Sequence, residues 1–188
     1  KVIRAANVTP GAEGQPSGQT GDHGFSAGFV ERSGPLDERV AASGRLADLV
    51  LIAKPAAGAG VSATLQACLR ETGRPVLVVP PECRADGFGR RIAVGWNGSV
   101  EAARALAGAL PFLARADAVK VLSVEESARF GPTGREVVDY LAWHGIAATA
   151  DELSASSFGV GRALMAGLAA DQSDMLVMGA YSRSQMRR

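Results

Sequence analysis

Two short segments carry residue types that suit ligand chemistry. Asn97-Gly98-Ser99 follows the apolar run Arg91-Ile92-Ala93-Val94-Gly95-Trp96 and leads straight into a helical pattern. Gly98 lets the backbone approach closely, and the amides and positive dipole end of a helix starting there favour an anion or a polar sugar. Asn and Ser are also the commonest helix caps, so for this motif alone capping is the expected role. The second segment is Gly179-Ala180-Tyr181-Ser182-Arg183-Ser184, continued by Gln185-Met186-Arg187-Arg188. Small and hydroxylated residues behind a buried strand ending at Met178, with three arginines beyond, suit a phosphate cradle. The simpler reading is a polar turn and a solvated basic tail. Neither segment outweighs its simpler reading alone. Both follow strands whose carboxyl ends share one sheet edge with Val124, where ligands of open parallel sheets collect, and together they favour a nucleotide or another phosphorylated ligand.

Other candidates for chemistry are weaker. His23 lies in a glycine-rich segment, and His144 sits at a helix C-terminus where a cation suits the dipole. Ser99 stands between strand and helix, but Trp96-Asn97-Gly98-Ser99-Val100 is not the Gly-x-Ser-x-Gly elbow of hydrolases. Cys68 and Cys83 are in neither a CxxC nor a Cys/His cluster and read as reduced thiols of a cytoplasmic protein. No paired carboxylates or metal-ligand spacings stand out, so no catalytic residue is assigned. Trp143 and Trp96 both suit core or rim positions, and Trp96 flanks the candidate site.

The elements that position these residues follow from hydrophobic periodicity. Residues 1–24 carry five glycines and two prolines and read as loop or disorder. Residues 25–82 then read as an extended stretch to Glu31, a helix over Pro35 to Arg45, a strand over Ala47 to Lys54, a helix over Ser62 to Thr72, and a strand over Pro75 to Val79. The continuous aliphatic runs suit parallel strands covered on both faces. A polar linker, residues 83–89, precedes the second series, residues 90–188. Its first helix carries Val100, Ala103, Leu106, Ala107 and Leu110 on one stripe, and Pro111 is expected to end or kink it. Val119 to Val124 is a strand. Thr133-Gly134-Arg135-Glu136 has capping-box spacing before a helix bearing Val137, Val138 and Leu141, which Gly145 stops. Ile146 to Glu152 is extended, Val160, Leu164 and Leu168 mark a last helix, and Asp174 to Gly179 is the last strand.

Ala47-Asp48-Leu49-Val50-Leu51-Ile52-Ala53 lines up with Ser173-Asp174-Met175-Leu176-Val177-Met178-Gly179, and each follows a helix and a short strand. This repeat indicates a duplicated unit, represented by the back half of one copy and the front two-thirds of the next. Stitched together, the copies define an α/β fold, a five-stranded parallel, Rossmann-like sheet sandwiched by helices, with both copies incomplete. The chain begins Lys1-Val2-Ile3-Arg4 and ends just after a strand, as expected of a fragment open at its ends.

Composition sets outer limits. Twenty basic and nineteen acidic residues leave a net charge of +1, too little for a generic nucleic-acid binder. A chain with 47% hydrophobic and 21% charged residues has material for a buried core. No apolar run nears the roughly 20 residues of a membrane span. Glycine is high, with 23 residues, which points to tight turns and small-residue helices.

The stretches Arg91 to Leu106 and Asp174 to Tyr181, with Ala47 to Ala53 and Arg74 to Pro80 in the first copy, resemble the universal stress protein family in its tandem form. The resemblance implies a cytoplasmic stress-response protein without catalytic activity, some of whose relatives bind ATP or another adenine nucleotide, with magnesium as the companion cation. It implies that Asn97 touches the nucleoside, that Val124 lines the adenine pocket, and that Met178 and Gly179, with Ser182, begin the phosphate loop; Gly95, Trp96, Gly98 and Ser99 flank Asn97 and complete the candidate ligand residues. Asn97 stands where the family places an acidic residue, and Ser182 where it places a second glycine. The first copy reads Lys54-Pro55-Ala56-Ala57-Gly58 after its corresponding strand, so no ATP site is expected there. The alternative is a structural or dimerisation module of the same family that has lost nucleotide binding, its copies packing as an intrachain pseudo-dimer or self-associating through Arg74 to Val79. A nucleotide-hydrolysing or adenylate-forming enzyme is a third reading, resting on fold analogy alone.

Overall fold

A computed structural model describes residues 19–20, 26–27, 30–55, 62–83, 87–124, 131–155 and 159–181. The chain order is β1 (Gln19–Thr20), β2 (Ser26–Ala27), α1 (Leu36–Gly44), β3 (Val50–Ala53), α2 (Ala63–Glu71), β4 (Val76–Val79), β5 (Arg91–Trp96), α3 (Val100–Leu113), β6 (Ala118–Val124), α4 (Gly134–Trp143), β7 (Ala148–Leu153), α5 (Val160–Ala170) and β8 (Met175–Met178). β1, within the segment expected to be loop, pairs antiparallel with β2, which falls in the stretch expected to be extended.

The second series forms a four-stranded parallel sheet in the order β7-β6-β5-β8. The chain steps from β5 to β6 to β7 in one direction, then returns past β6 and β5 to place β8. Right-handed crossovers therefore put α3 and α4 on one face and α5 on the other. Side chains agree. Ile92, Val94, Val119, Val121 and Val177 share a core with Leu106 and Leu113 of α3 and Leu141 of α4. Leu122, one residue on from Val121 and so on the opposite face, lies with Leu153 against Gly167 of α5.

Helix boundaries follow local chemistry. Ser62 Oγ, Ser99 Oγ and Thr133 Oγ1 accept hydrogen bonds from the Leu65, Ala102 and Glu136 amides. The Glu136 carboxylate returns the contact to the Thr133 amide at 2.8 Å, completing the capping box. After α4, Gly145 adopts φ +72°, and Ile146 N–H closes the helix end on the Leu141 carbonyl. Two expectations for α3 are corrected. The buried stripe is Ala102, Leu106, Ala109 and Leu113, whereas Val100, Ala103 and Ala107 are exposed. The helix is apolar on nearly every side, so periodicity alone did not fix its rotation. It also runs through Pro111 to Leu113. Proline stands there on the exposed side of the last turn, and the buried Leu113 keeps that turn anchored.

At the amino edge of the sheet the Asp174 carboxylate accepts hydrogen bonds from the Gly89, Arg90 and Arg91 amides at 2.8, 3.1 and 3.1 Å. This ties the entry of β8 to that of β5 and helps fix their register. Beside it, Lys120 of β6 bridges Asp171 at 2.5 Å and Asp151 at 3.0 Å, and these hydrogen bonds raise its pKa above the usual lysine value.

In the first series, β3 and β4 form a separate two-stranded parallel sheet, and α1 and α2 pack on each other. The described residues thus form sheets of four and two strands, with no five-stranded sheet among them. The expectation that these aliphatic strands are covered on both faces is also corrected: none of the eight residues of β3 and β4 is buried, and Leu51 is 65% exposed. Two strands and two short helices supply too little surface to enclose them. The Pro75 ring, preceding β4, packs against α3 so closely that a Cβ on Gly108 would fall 2.5 Å from Pro75 Cγ.

Candidate functional site

The strand order reverses at β5, whose neighbours β6 and β8 are reached in opposite directions along the chain. Parallel sheets form a crevice at the carboxyl ends of strands on either side of such a point. A cleft of about 110 Å³ lies there, lined by Gly95 and Trp96 of β5 with Asn97 just after it, Leu122 and Val124 of β6, and Met178 of β8 with Gly179 just after it, and closed by Val160 and Leu164 of α5. Six of the nine residues expected at a ligand site line it directly. Gly98 and Ser99 adjoin it in the β5–α3 turn, and Ser182 lies outside the described residues. Leu122 and the α5 pair were not singled out in the sequence, although Leu122 precedes Val124 by the two-residue strand period and Val160 and Leu164 share one helical face.

Trp96 is buried, and its indole N–H donates to the Pro132 carbonyl at 2.6 Å. The side chain is therefore both a core residue and a wall of the cleft, and it tethers the chain entering α4. Asn97 Oδ1 accepts from the Ser99 amide at 3.1 Å, and Ser99 Oγ from the Ala102 amide at 3.1 Å. The capping role expected of Asn97 and Ser99 is thus fulfilled. It does not exhaust the helix end, because the Val100 and Glu101 amides have no acceptor among the described residues. Gly98 holds φ +73°, a left-handed conformation that suits glycine, and Gly131 packs directly on its backbone.

Gly179 is required by space. A Cβ there would lie 2.6 Å from Ala102 N and 2.7 Å from Glu101 C, so the end of β8 is pressed against the first turn of α3. Two residues on, Tyr181 takes φ +58°, and the Arg70 guanidinium of α2 lies 4.2 Å from its ring centroid.

The lining is apolar apart from the Asn97 amide and backbone groups, and no charged side chain belongs to it among the described residues. That suits a flat, largely apolar group, with polar atoms met by Asn97 and the α3 amides. No group of three or more His, Cys, Asp or Glu side chains suited to a metal is found among the described residues. His144 caps α4 and packs edge-on against Tyr140, with ring centroids 4.8 Å apart. Burial raises the Cys68 thiol pKa, which keeps it protonated and unreactive. At the opposite sheet edge, a smaller cavity of about 60 Å³ is bordered by Lys120 and Asp171, which are engaged with each other.

The architecture is that of an α/β protein with a parallel sheet and a cleft at its switch point. Comparisons with protein-family models, curated proteins and solved structures found no match to this chain. No helix among the described residues is long and apolar enough to cross a membrane.

Proposed function

We propose that the chain is a nucleotide-binding protein without catalytic activity, resembling universal stress proteins, in which the cleft at the ends of β5, β6 and β8 takes ATP or another adenine nucleotide, with magnesium on its phosphates. The observation that carries this reading is the meeting of those three strand ends on one apolar cleft beside the Val100 and Glu101 amides, which have no acceptor among the described residues. The base would fill the slot between Val124, Leu164 and Met178, and Asn97 would face the ribose. The internal repeat supports a duplicated unit whose first copy, reading Lys54-Pro55-Ala56-Ala57-Gly58 without the glycine motif after its strand, binds none. A cytoplasmic setting belongs to the same reading.

Thermal unfolding with and without Mg-ATP tests it. A ligand at 100 times its dissociation constant adds about 2.7 kcal/mol. At about 2–4 °C per kcal/mol for a chain of this size, the midpoint should rise by about 5–10 °C. No shift at millimolar ATP would refute nucleotide binding. That result would favour a second reading, an interaction module that covers β3 and β4 by association, for which the exposure of Leu51 speaks.

A further inference from the structure

We propose that Arg70 of α2 is an anion-binding side chain of the cleft, lent by the first half of the chain to the second, and that it selects phosphorylated over unphosphorylated ligands. The inference rests on the reading of the cleft as a nucleotide site.

Tyr181 links Arg70 to the end of the strand that borders that site. It is two residues beyond Gly179, a cleft residue, so its Cα lies within about 7.6 Å of the Gly179 Cα, the reach of two peptide units. The Arg70 guanidinium lies 4.2 Å from the Tyr181 ring centroid. Attraction to the ring face uses the charge and the flat surface of a guanidinium but leaves its in-plane N–H donors unspent. Arg70 is exposed and forms no ion pair or hydrogen bond with another described residue. An oriented guanidinium whose donor fork no other described residue occupies matches a phosphate in a bidentate manner.

The backbone supports the same placement. A left-handed φ is unfavourable for a tyrosine and persists only where its surroundings hold it. Here the ring of the residue so held meets Arg70 of α2. The cleft also has a use for such a group. Its described lining offers apolar walls, one amide side chain and helix-end amides, but no cation. The charge of a nucleotide's phosphates would be answered from outside the lining, by the neighbouring Arg70.

If Arg70 serves only to brace Tyr181, its loss should weaken all ligands alike. Isothermal titration calorimetry of the full chain with adenosine and with ATP separates the two roles. In the unsubstituted chain, ATP should bind about tenfold more tightly than adenosine, the scale of one charge-assisted contact. Arg70→Gln should close that gap to about twofold while leaving adenosine affinity unchanged, and Arg70→Lys, which keeps the charge without the fork, should fall between. Equal affinities for the two ligands in the unsubstituted chain, an unchanged gap in Arg70→Gln, or equal losses for both ligands would each overturn the role of Arg70 while leaving the cleft reading intact. If neither ligand binds the unsubstituted chain, the cleft reading fails and the role of Arg70 with it.

Discussion

Replacing Gly179 with alanine adds one methyl group at the tightest point of the site. Its Cβ would lie 2.6 Å from Ala102 N, 2.7 Å from Glu101 C and 3.0 Å from Ala102 Cα. Carbon atoms in ordinary contact sit about 3.5 Å or more apart, so the end of β8 and the first turn of α3 must separate by nearly 1 Å. Neither side yields readily. The helix turn is held by the Ser99 cap, and β8 is held in register by β5. Overpacking of this kind costs about 1–3 kcal/mol. The melting midpoint should then fall by about 2–12 °C, at about 2–4 °C per kcal/mol. Gly95→Ala is the matched control, because a Cβ there meets Leu176, Met178 and Leu164 only at 3.6–3.7 Å. That variant narrows the same cleft without a backbone clash, and its midpoint should match the parent's or exceed it by up to about 4 °C, since alanine in a strand interior is favoured over glycine by about 0.5–1 kcal/mol. Circular dichroism melts of the three proteins make the test. If Gly179→Ala unfolds with Gly95→Ala and the parent, the close approach of β8 to α3 is wrong, and with it the account of how the cleft is walled.

Thr133→Ala removes the capping box of α4 and should cost about 1 kcal/mol in urea unfolding. The Thr133 amide and hydroxyl hold the Glu136 carboxyl below its ordinary value of 4.5, so this stabilisation is present above that pH and is lost as pH falls through the lower folded value. Stability measured from pH 6 down to pH 3 should therefore fall less steeply in the variant; equal slopes would refute the linkage. Lys120→Met leaves Asp171 and Asp151 without their shared cation and should destabilise by about 1 kcal/mol, the low end for a charge-assisted pair because solvent reaches the group. The folded pKa of Lys120 lies above the ordinary 10.5, so its contribution is complete below that pH and is lost as pH rises through the folded value. The parent should lose stability above pH 10.5 more steeply than Lys120→Met, and parallel curves would show that the bridge contributes nothing.

Local rules made much of the second series legible. The aliphatic run Arg91 to Trp96 is β5 to the residue, the Thr133–Glu136 spacing forms its capping box, and Gly145 stops α4 where expected. These features depend on residues a few positions apart. That Gly95, Trp96, Asn97, Val124, Met178 and Gly179 gather at one edge was also legible, because a parallel sheet places successive carboxyl ends on one edge. The misreadings have a common origin. The rotation of α3 and the passage through Pro111 were set by which side chains the sheet could bury, and the exposure of β3 and β4 by the amount of surface available to cover them.

The sequence by itself determined the alternation of strands and helices, the caps and stops that bound them, and the sheet edge on which ligand-suited residues gather, because each is a matter of short-range periodicity and backbone chemistry. Only the tertiary structure decided that α5 closes the cleft, that Gly179 is pressed against α3, and that Arg70 stands over Tyr181. These contacts join residues far apart in the chain, and their geometry depends on how whole elements pack, which no local pattern encodes.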